Sequence, residues 1–555
     1  MSKVFVIGLD GATFDLIHPF IQDGFLPNLK SLISNGASSE FSSTIPPVTA
    51  SAWTSFMTGK NPGKHGLFDF MQRREQSYDL VPVSSFDRDG KAVWEIAGEH
   101  GKKCIVMGVP VTYPPTPLDG LMVTGMLTPR GADDYTYPAE LKNEIASVIG
   151  EYIVYSDEVY SKGRGEFFLN ALHFSIQQRA KTAAYLLHAY DWDLGILVFP
   201  ETDTVCHGLW WAYDAMHHQH AQEDATKFQN GIREIYQDID SYIGELVTSL
   251  PGDTTILVMS DHGHGPLRNF LYVNNFLKQR GYLKIKNTPA SQIKNLAFNA
   301  GLTPRTAYGM LLNMGLGKLR RTMDKRRGGR GLLKRFFLSL NDVDWENTRA
   351  YSIGYIGEVH LNVKGREPRG IVERGAEYER VREELMRDLG ELKLPNGEPL
   401  IEKIWKKEEI YHGTHLDDAP DILFFPKNLE TIAFGDFEFG SNKILEPSYG
   451  VSSSHRMNGI LIASGNQIRT NHLITGIASD SKSPNLTDLA PTILYLLDLP
   501  IPRDMDGRVL SEMISETRAI AYGGSAELER TRSDGYSEED EAEVVERLKD
   551  LGYLS

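Results

Sequence analysis

Short apolar runs recur along the chain, and each ends in polar residues. They lie at Val4–Leu9, Lys103–Val109, Leu194–Phe199, Thr255–Met259 and Gly459–Ala463. Because apolar residues occupy nearly every position of such a run, we predict strands that are buried on both faces, as in a parallel sheet. Amphipathic stretches of helical length lie between them, at Phe167–His188 and Asp224–Leu250. This alternation predicts an α/β layered domain whose ligand site lies at the carboxyl ends of the strands.

Changes in composition divide the chain into five predicted segments. These are the first part of an α/β core (1–267), a basic helical insertion (268–344), a cap-like α+β segment (345–450), the return of the core (451–524) and an acidic tail with a C-terminal helix (525–555). In the cap-like segment, residues 377–389 are expected to form a helix with one apolar face. The last helix carries an apolar face (Val544, Val545, Leu548 and Leu551), and we expect it to dock back on the body.

The insertion contains the strongest local charge of the chain. Lys318–Arg335 has nine Lys or Arg residues against one Asp. Two interpretations stay open at this point. The segment is either a solvated, mobile insertion, or a patch for peripheral contact with a membrane surface or another anionic partner.

Overall composition narrows the class of protein. The 555 residues include 58 Lys or Arg and 74 Asp or Glu, giving a net charge of −16, which argues against stable nucleic-acid binding over a broad surface. Two cysteines cannot form a disulfide framework. The sequence shows neither a signal-peptide pattern nor an apolar run of the ~20 residues needed to span a bilayer. We therefore expect a cytoplasmic protein of unknown oligomeric state.

Aspartate and histidine residues cluster where the predicted strands end. The candidate metal ligands are Asp10, Asp203, His207, Asp261, His262 and His455. Asp203 and His207 are four residues apart, so on a helix they share one face. Mixed carboxylate and imidazole ligands favour zinc, manganese or iron over calcium. Two such ions about 3.5–4 Å apart would stabilise an in-line displacement at phosphorus.

Thr49 is the candidate nucleophile. It follows two prolines and precedes Ala50–Thr58, which we predict to be helical. Its hydroxyl would lie at the N-terminus of that helix, where backbone N–H groups favour a phosphoryl group. A threonine hydroxyl is a weak nucleophile at neutral pH, and coordination to a metal ion would deprotonate it. Thr49 is therefore also a predicted metal ligand.

These motifs together resemble the alkaline phosphatase superfamily, and within it the type I phosphodiesterase/nucleotide pyrophosphatase family. The matching segments are GLDGATF (8–14), PPVTASAWTSFMTGKNPGKHGLFDF (46–70), ETDTVCHGLWWAYD (201–214), SDHGHGP (260–266) and SHRMNG (454–459), with further likeness at 347–368 and 485–510. The resemblance implies an alkaline-phosphatase-like sandwich with a mostly parallel sheet, helices on both faces and a cap.

The resemblance also implies roles for the matching residues. Asp10, Thr49, Asp261 and His262 would surround one metal ion, and Asp203, His207 and His455 the other. Thr49 would form a covalent phosphothreonine intermediate, and zinc would be the metal, with manganese as the alternative. Candidate substrate contacts are Trp210, His264 and Arg456, and for His264 a packing or substrate-facing role is favoured over metal binding.

The implied activity is two-metal hydrolysis of a phosphodiester or pyrophosphate bond in a small anionic substrate, such as a nucleotide, a sugar-nucleotide or a lipid-linked phosphate. No arginine lies between Thr49 and Gly59, which departs from the phosphomonoesterases of the superfamily. Two alternatives stay open. One is a phosphomutase or phosphotransferase of the same superfamily, and the other is a non-catalytic binding protein on this fold.

Overall fold

The computed structural model describes residues 2–553, except 75, 151, 157, 221–223, 305, 307–336, 436–438, 475–482 and 529–534. The basic segment Lys318–Arg335 lies outside the described residues. Both predictions for it, and the five segment boundaries, stay predictions. None of the helices described is long and apolar enough to cross a membrane.

A central sheet organises the molecule. The strands are β1 (Lys3–Leu9), β2 (Gly36–Ser42), β3 (Met71–Arg73), β4 (Leu80–Pro82), β5 (Cys104–Met107), β6 (Gly120–Val123), β7 (Thr136–Tyr137), β8 (Leu194–Phe199), β9 (Thr254–Met259), β10 (Gly263–Pro266), β11 (Asn269–Tyr272), β12 (Ala350–Tyr351), β13 (Glu358–Leu361), β14 (Ile401–Lys406), β15 (Ile422–Pro426), β16 (Thr431–Phe434), β17 (Leu445–Pro447), β18 (Ser453–Arg456), β19 (Asn458–Ser464) and β20 (His472–Leu473). Within the described residues the central sheet has the order β20-β2-β19-β9-β1-β8-β5-β6-β7. The neighbours of β1, β5 and β8 are all parallel, as is the β2–β20 pair.

Helices cover both faces of this sheet. The described helices of the whole molecule are α1 (Phe14–Gln22), α2 (Pro27–Ser34), α3 (Thr49–Thr58), α4 (Pro62–His65), α5 (Val93–Glu99), α6 (Leu141–Val148), α7 (Gly165–Ala189), α8 (Glu201–Tyr213), α9 (Ala225–Phe228), α10 (Gly231–Ser249), α11 (Val273–Arg280), α12 (Pro289–Asn299), α13 (Ala376–Gly390), α14 (Lys407–Ile410), α15 (Leu489–Leu496) and α16 (Glu538–Asp550). Side chains of β1 alternate between two buried clusters, because successive residues of a strand point to opposite faces. Phe5 and Ile7 pack with α1, α7, α8 and α10, whereas Val4 and Val6 pack with α3, α5 and α15. The predicted α/β sandwich is confirmed.

Two details of the predicted pattern are wrong. The stretch Asp224–Leu250 is not one helix but two, α9 and α10, separated at Gln229 and Asn230. The helix α10 begins at Gly231, where an added Cβ would lie 2.5 Å from Leu209 Cδ1 of α8. Close packing of α10 against α8 therefore favours glycine at this position. The run Gly459–Ala463 is a buried strand, but β19 pairs antiparallel with both β2 and β9.

Smaller sheets and the C-terminal helix lie at the carboxyl edge of β1, β8 and β9. A four-stranded sheet (β12-β13-β15-β14) packs against α13, and a three-stranded sheet has the order β16-β11-β17. β10 pairs antiparallel with β18. Val544, Leu548 and Leu551 of the C-terminal segment are buried against residues of the core, which confirms the predicted docking of the last helix.

Candidate metal centre

The register of three parallel strands brings the predicted ligands to one edge of the sheet. Leu9 of β1 pairs with Phe199 of β8, and Gly8 pairs with Met259 of β9. The chain therefore leaves all three strands at the same level. Asp10 follows β1 directly, Asp203 lies in the first turn of α8, and Asp261 lies in a bend after β9. Because β19 runs in the opposite direction, its amino end lies at this edge too, and His455 precedes it there.

Three histidines converge on Asp203 and form with it what we call the Asp203 group: Asp203, His207, His264 and His455. The Oδ1 atom of Asp203 lies 3.4 Å from His207 Nε2, 3.3 Å from His264 Nε2 and 3.5 Å from His455 Nε2. The ligand atoms all lie within 4.8 Å of one another, and all four residues are buried. This spacing suits a single cation at the centre of a tetrahedral set of ligands.

A second set, the Asp10 group, consists of Asp10, Asp261 and His262. His262 Nε2 lies 3.2 Å from Asp261 Oδ2 and 3.7 Å from Asp10 Oδ1. The adjacent residues Asp261 and His262 can face one site because the chain bends at both positions. The two groups are neighbours, since the rings of His262 and His455 stack with centroids 3.6 Å apart.

Thr49 completes the Asp10 group. It is the first residue of α3 and is fully buried. Its Oγ1 lies 3.2 Å from His262 Nε2. The structure thus places the predicted nucleophile at a helix N-terminus and beside one of the two ligand groups.

Comparisons with known proteins agree with this geometry. The family model "Type I phosphodiesterase / nucleotide pyrophosphatase" matches residues 4–433. The chain belongs to this family. The match ends before His455, which the structure nevertheless brings into the Asp203 group. No curated protein sequence matches the chain.

Solved structures share the fold at low identity. Phosphonoacetate hydrolase from Sinorhizobium meliloti 1021, in complex with phosphonoformate, is 13% identical over 90% of this chain and 95% of its own, with a TM-score of 0.51. Murine ectonucleotide pyrophosphatase/phosphodiesterase 5, as an inactive variant in complex with AMP, is 13% identical over 93% of this chain and 100% of its own, with a TM-score of 0.50. The human counterpart is 12% identical, with the same coverage and a TM-score of 0.49.

The family consists of metal-dependent phosphodiesterase and pyrophosphatase hydrolases, and unpaired buried atoms show that the ligand groups fit divalent ions. Asp10 Oδ1, Asp203 Oδ1, Asp261 Oδ2 and His264 Nε2 are buried and have no hydrogen-bond partner among the described residues. Leaving polar atoms unpaired in the interior is costly, so each such atom calls for an explanation. All four point into the two groups, which is where a cation would pair with them.

Each carboxylate has one oxygen in the group and the other held by a hydrogen-bond donor. Trp53 Nε1 donates to Asp10 Oδ2 at 3.2 Å. The backbone N–H of Gly11 donates to Asp261 Oδ1 at 3.1 Å. The hydroxyl of Tyr553 donates to Asp203 Oδ2 at 2.5 Å. Donors of this kind fix the orientation of metal-binding carboxylates.

The four histidines are oriented in the same way. Their Nδ1 atoms lie against backbone carbonyl oxygens of Ser453 (for His207), Gly263 (for His262), Gly11 (for His264) and Pro47 (for His455), at 2.7–3.2 Å. A carbonyl oxygen accepts only from a protonated ring nitrogen, so Nδ1 carries the proton and Nε2 presents a lone pair to the group. Gly11 (φ +67°) is required beside His264, because an added Cβ would lie 2.4 Å from its Nδ1.

Burial sets the protonation states of the two groups. It lowers the pKa of His262, His264 and His455, which keeps these imidazoles in the neutral form that binds metals. Burial and the charge of nearby aspartates raise the pKa of Asp10 well above its usual value, and burial raises the pKa of Asp261 to about 8. Burial alone would raise the pKa of Asp203 too, whereas the charge of His207 and hydrogen bonds from His207 and His455, in the protonated forms of these rings, lower it well below the usual range. A bound cation would favour the ionised form of all three carboxylates.

The three predicted substrate contacts lie in different places. His264 faces Asp203 as a possible ligand, because β10 and β18 pair with His264 opposite His455. The alternation His262-Gly-His264 could have indicated this, since residues two apart share a strand face. Trp210 is buried in the core beside Tyr213. Arg456 donates to the carbonyl oxygens of Pro266 in β10, Ser454 in β18 and Leu429, and so backbone carbonyls, rather than either ligand group, engage its guanidinium.

A cavity of about 550 Å³ opens onto the Asp203 group. Asp203 and His207 lie at its base, and aromatic side chains form much of its wall: Tyr160, Phe168, Phe270, Tyr272, Phe434 and Tyr449. Residues 549–552 of the C-terminal segment form another part of the wall. Trp210, the predicted aromatic contact, does not line this cavity, and other elements supply its aromatic surface. The spacing of residues in the sequence does not predict this aromatic surface, because its residues come from segments that are far apart in the chain.

Proposed function

We propose that this hydrolase cleaves a phosphodiester or pyrophosphate bond of a small anionic substrate through a covalent phosphothreonine at Thr49. A nucleotide, a sugar-nucleotide or a lipid-linked phosphate would be the substrate. The observation that carries the proposal is the position of Thr49 Oγ1, buried at the start of α3 and 3.2 Å from His262 Nε2. A hydroxyl there adjoins the Asp10 group and the free N–H groups of a helix N-terminus.

Each of the two ligand groups would bind one divalent ion. The Asp203 group would hold one divalent ion, and the Asp10 group with Thr49 the other. Bound there, zinc, or manganese as the alternative, would supply Lewis acidity and lower the pKa of a coordinated hydroxyl or water. Trp53, Gly11 and Tyr553 keep the three carboxylates aimed at these positions.

The chemistry at phosphorus takes two displacements. Thr49 Oγ1 attacks the phosphorus, the Oγ1–P bond forms, and the bond from phosphorus to the leaving oxygen breaks with its electron pair. The hydroxyl proton passes to solvent as Thr49 attacks, and the leaving oxygen gains a proton from solvent. Water then attacks the phosphothreonine, the P–Oγ1 bond breaks, and Thr49 regains its proton. Backbone N–H groups in the first turn of α3 stabilise negative charge on the phosphoryl oxygens.

The cavity supports a substrate with an organic group on each side of phosphorus. Its aromatic wall can pack against a base, a sugar or another apolar leaving group. Arg456, the arginine beside His455, donates to backbone carbonyls and does not face the site. Nothing in the sequence from Thr49 to Gly59 offers an arginine for the extra charge of a monoester. These observations favour a diester or pyrophosphate over a phosphomonoester.

The nucleophile is tested with a series of threonine variants. Thr49→Ala should lower turnover of bis-(p-nitrophenyl) phosphate by about 1000-fold or more, because the attacking oxygen is lost. Thr49→Ser keeps the hydroxyl and should retain measurable turnover. Thr54→Ala is the matched control, since Thr54 is buried one turn further along α3 and its hydroxyl donates to Ala50 O.

Metal content separates a chemical effect from a structural one. Thr49→Ala should still bind two divalent ions per chain, because the aspartates and histidines of both groups remain. Full activity of Thr49→Ala on every phosphoester tested would overturn the assignment of the nucleophile.

A further inference from the structure

The C-terminal segment, residues 535–553, is anchored to the core along its length. The Tyr536 hydroxyl donates to the carbonyl oxygens of Val83 and Leu127. Ser537 caps α16, and Val544 and Leu548 of that helix are buried in a cluster with core residues. Arg547 Nη1 donates to Thr128 O at 2.6 Å. The segment is therefore a fixed part of the fold rather than a loose end.

The end of α16 positions one side chain with little freedom. Tyr553 N donates to Leu548 O and Gly552 N donates to Lys549 O, which is the hydrogen-bond pattern of a Schellman motif. Gly552 takes the left-handed conformation (φ +88°) that this motif requires. The chain then reverses at Gly552, and Tyr553 turns inward.

Tyr553 reaches the metal centre from the opposite end of the sequence. It is 1% exposed, and its ring packs against Phe70, His207 and Tyr355. Its hydroxyl donates to Asp203 Oδ2 at 2.5 Å, while Asp203 Oδ1 faces the three histidines. The corresponding donors to Asp10 and Asp261 are Trp53 and Gly11, and both belong to the α/β core. For Asp203 the donor comes from the C-terminal segment.

We propose that the C-terminal segment completes the metal centre, with Tyr553 as the positioning residue for Asp203. The proposal rests on the proposed function, because it takes the Asp203 group to be a metal site. Without the Tyr553 hydroxyl, Asp203 Oδ2 loses its hydrogen-bond donor. The carboxylate can then rotate, and Oδ1 no longer stays at the position where it faces the three histidines. Because residues 549–552 also line the cavity, the same docking fixes one wall of the substrate site.

A zinc titration of the full-length, metal-free protein against a chromophoric chelator tests this inference. The variant is Tyr553→Phe, which keeps the ring contacts with Phe70 and His207 and removes only the donor. We expect one of two zinc equivalents to bind about 10–100-fold more weakly and the other to be unchanged. Tyr536→Phe is the matched control, because it removes a buried hydroxyl from the same segment that donates only to backbone carbonyls. Its two affinities should equal those of the unmodified protein.

The outcomes separate this inference from the proposed function. If the unmodified protein binds two zinc ions and Tyr553→Phe binds both equally well, the inference is overturned and the metal site stands. An equal loss of affinity in Tyr536→Phe and Tyr553→Phe also overturns it, because docking rather than the hydroxyl at Asp203 would then matter. If the unmodified protein binds no divalent ion, both the inference and the proposed function are overturned.

Discussion

At the scale of single residues, the candidate centre is defined by how each carboxylate uses its two oxygens. One oxygen of Asp10, Asp203 and Asp261 accepts a hydrogen bond, and the other is buried with no hydrogen-bond partner among the described residues. A carboxylate held in this way is oriented before any ligand arrives, so less conformational freedom is lost when a cation binds.

Trp53→Phe tests this orientation at the Asp10 group. Removing the indole N–H releases Asp10 Oδ2, and we expect the affinity of one zinc ion to fall by about tenfold or more. Trp94→Phe is the matched control, because Trp94 is equally buried on the same side of the sheet and its Nε1 has no hydrogen-bond partner among the described residues. Both variants lose similar packing, so only a difference in zinc affinity bears on the prediction. Equal affinities in the two variants would contradict it.

Sequence reasoning found residues whose spacing carries the signal and missed those whose partners are far away in the chain. Asp203 and His207 lie four apart on α8, and the structure brings them together. Trp53 and Tyr553 were not singled out, because their role depends on contacts 43 and 350 residues away in the chain. A glycine such as Gly552 is typical of a helix C-cap, but nothing in the spacing of the sequence connects Tyr553 with Asp203.

At the scale of secondary-structure elements, the reversal after α16 decides where Tyr553 lies. Gly552 has φ +88°, and an added Cβ would lie 2.4 Å from Val451 Cγ1. Gly552→Ala should therefore displace Tyr553 and weaken one zinc site. Gly150→Ala is the control, since Gly150 has φ +98° and open space around its Cβ position. Both substitutions carry the backbone cost of about 1–2 kcal/mol, but Gly150→Ala should leave zinc affinity unchanged. A zinc titration that does not distinguish them would contradict the prediction.

Asp421 joins the elements around the four-stranded sheet. Its buried carboxylate accepts from both Nη atoms of Arg366, from the Tyr378 hydroxyl of α13 and from Leu361 N of β13. Asp421→Asn removes the anion that the buried cations Arg366 and Lys407 share. Only Glu367 then remains as an ion-pair partner of Arg366, and we expect the free energy of unfolding to fall by about 3–5 kcal/mol. Asp417→Asn breaks only an exposed ion pair with Arg374 and should cost about 0–1 kcal/mol. Urea unfolding of both variants measures the difference, and similar losses would argue against this role of Asp421.

At the scale of the whole molecule, periodicity correctly predicted the layers and five of the nine described strands of the central sheet, β1, β5, β8, β9 and β19. It could not predict the direction of β19, because a run that is buried on both faces looks the same in either direction. Periodicity also predicted α9 and α10 as one helix. Only the structure shows that Leu209 of α8 lies close to Gly231, the glycine at which α10 begins. The family and the class of enzyme followed from motifs, and both are confirmed.

Buried histidines should make the folded protein sensitive to acid. Burial lowers the pKa of His65 and of His360 to about 3. An unfolded histidine takes up a proton below its pKa of about 6.5, whereas these two do not until about pH 3. Each therefore contributes stability that is present above about pH 6.5 and is lost as the pH falls, by about 1.4 kcal/mol per pH unit.

His360→Phe isolates this effect at one position. His360 stacks on Tyr351 with ring centroids 5.4 Å apart, a contact that phenylalanine can keep. Between pH 6 and pH 4, the free energy of unfolding of His360→Phe should fall less steeply than that of the unmodified protein, by about 1.4 kcal/mol per pH unit. Urea unfolding at several pH values measures both slopes. Equal slopes of the free energy of unfolding against pH in the two proteins would show that buried His360 does not make the folded state sensitive to acid.

The central claim is that two metal-binding groups and Thr49 together hydrolyse a phosphodiester, and one paired rate measurement tests it most directly. Zinc-loaded full-length protein is assayed on bis-(p-nitrophenyl) phosphate and on p-nitrophenyl phosphate, beside an EDTA-treated sample and Thr49→Ala. We expect faster turnover of the diester than of the monoester, lost in both controls and restored to the EDTA-treated sample by zinc or manganese. A rate on the diester that survives both metal removal and the loss of Thr49 would contradict it.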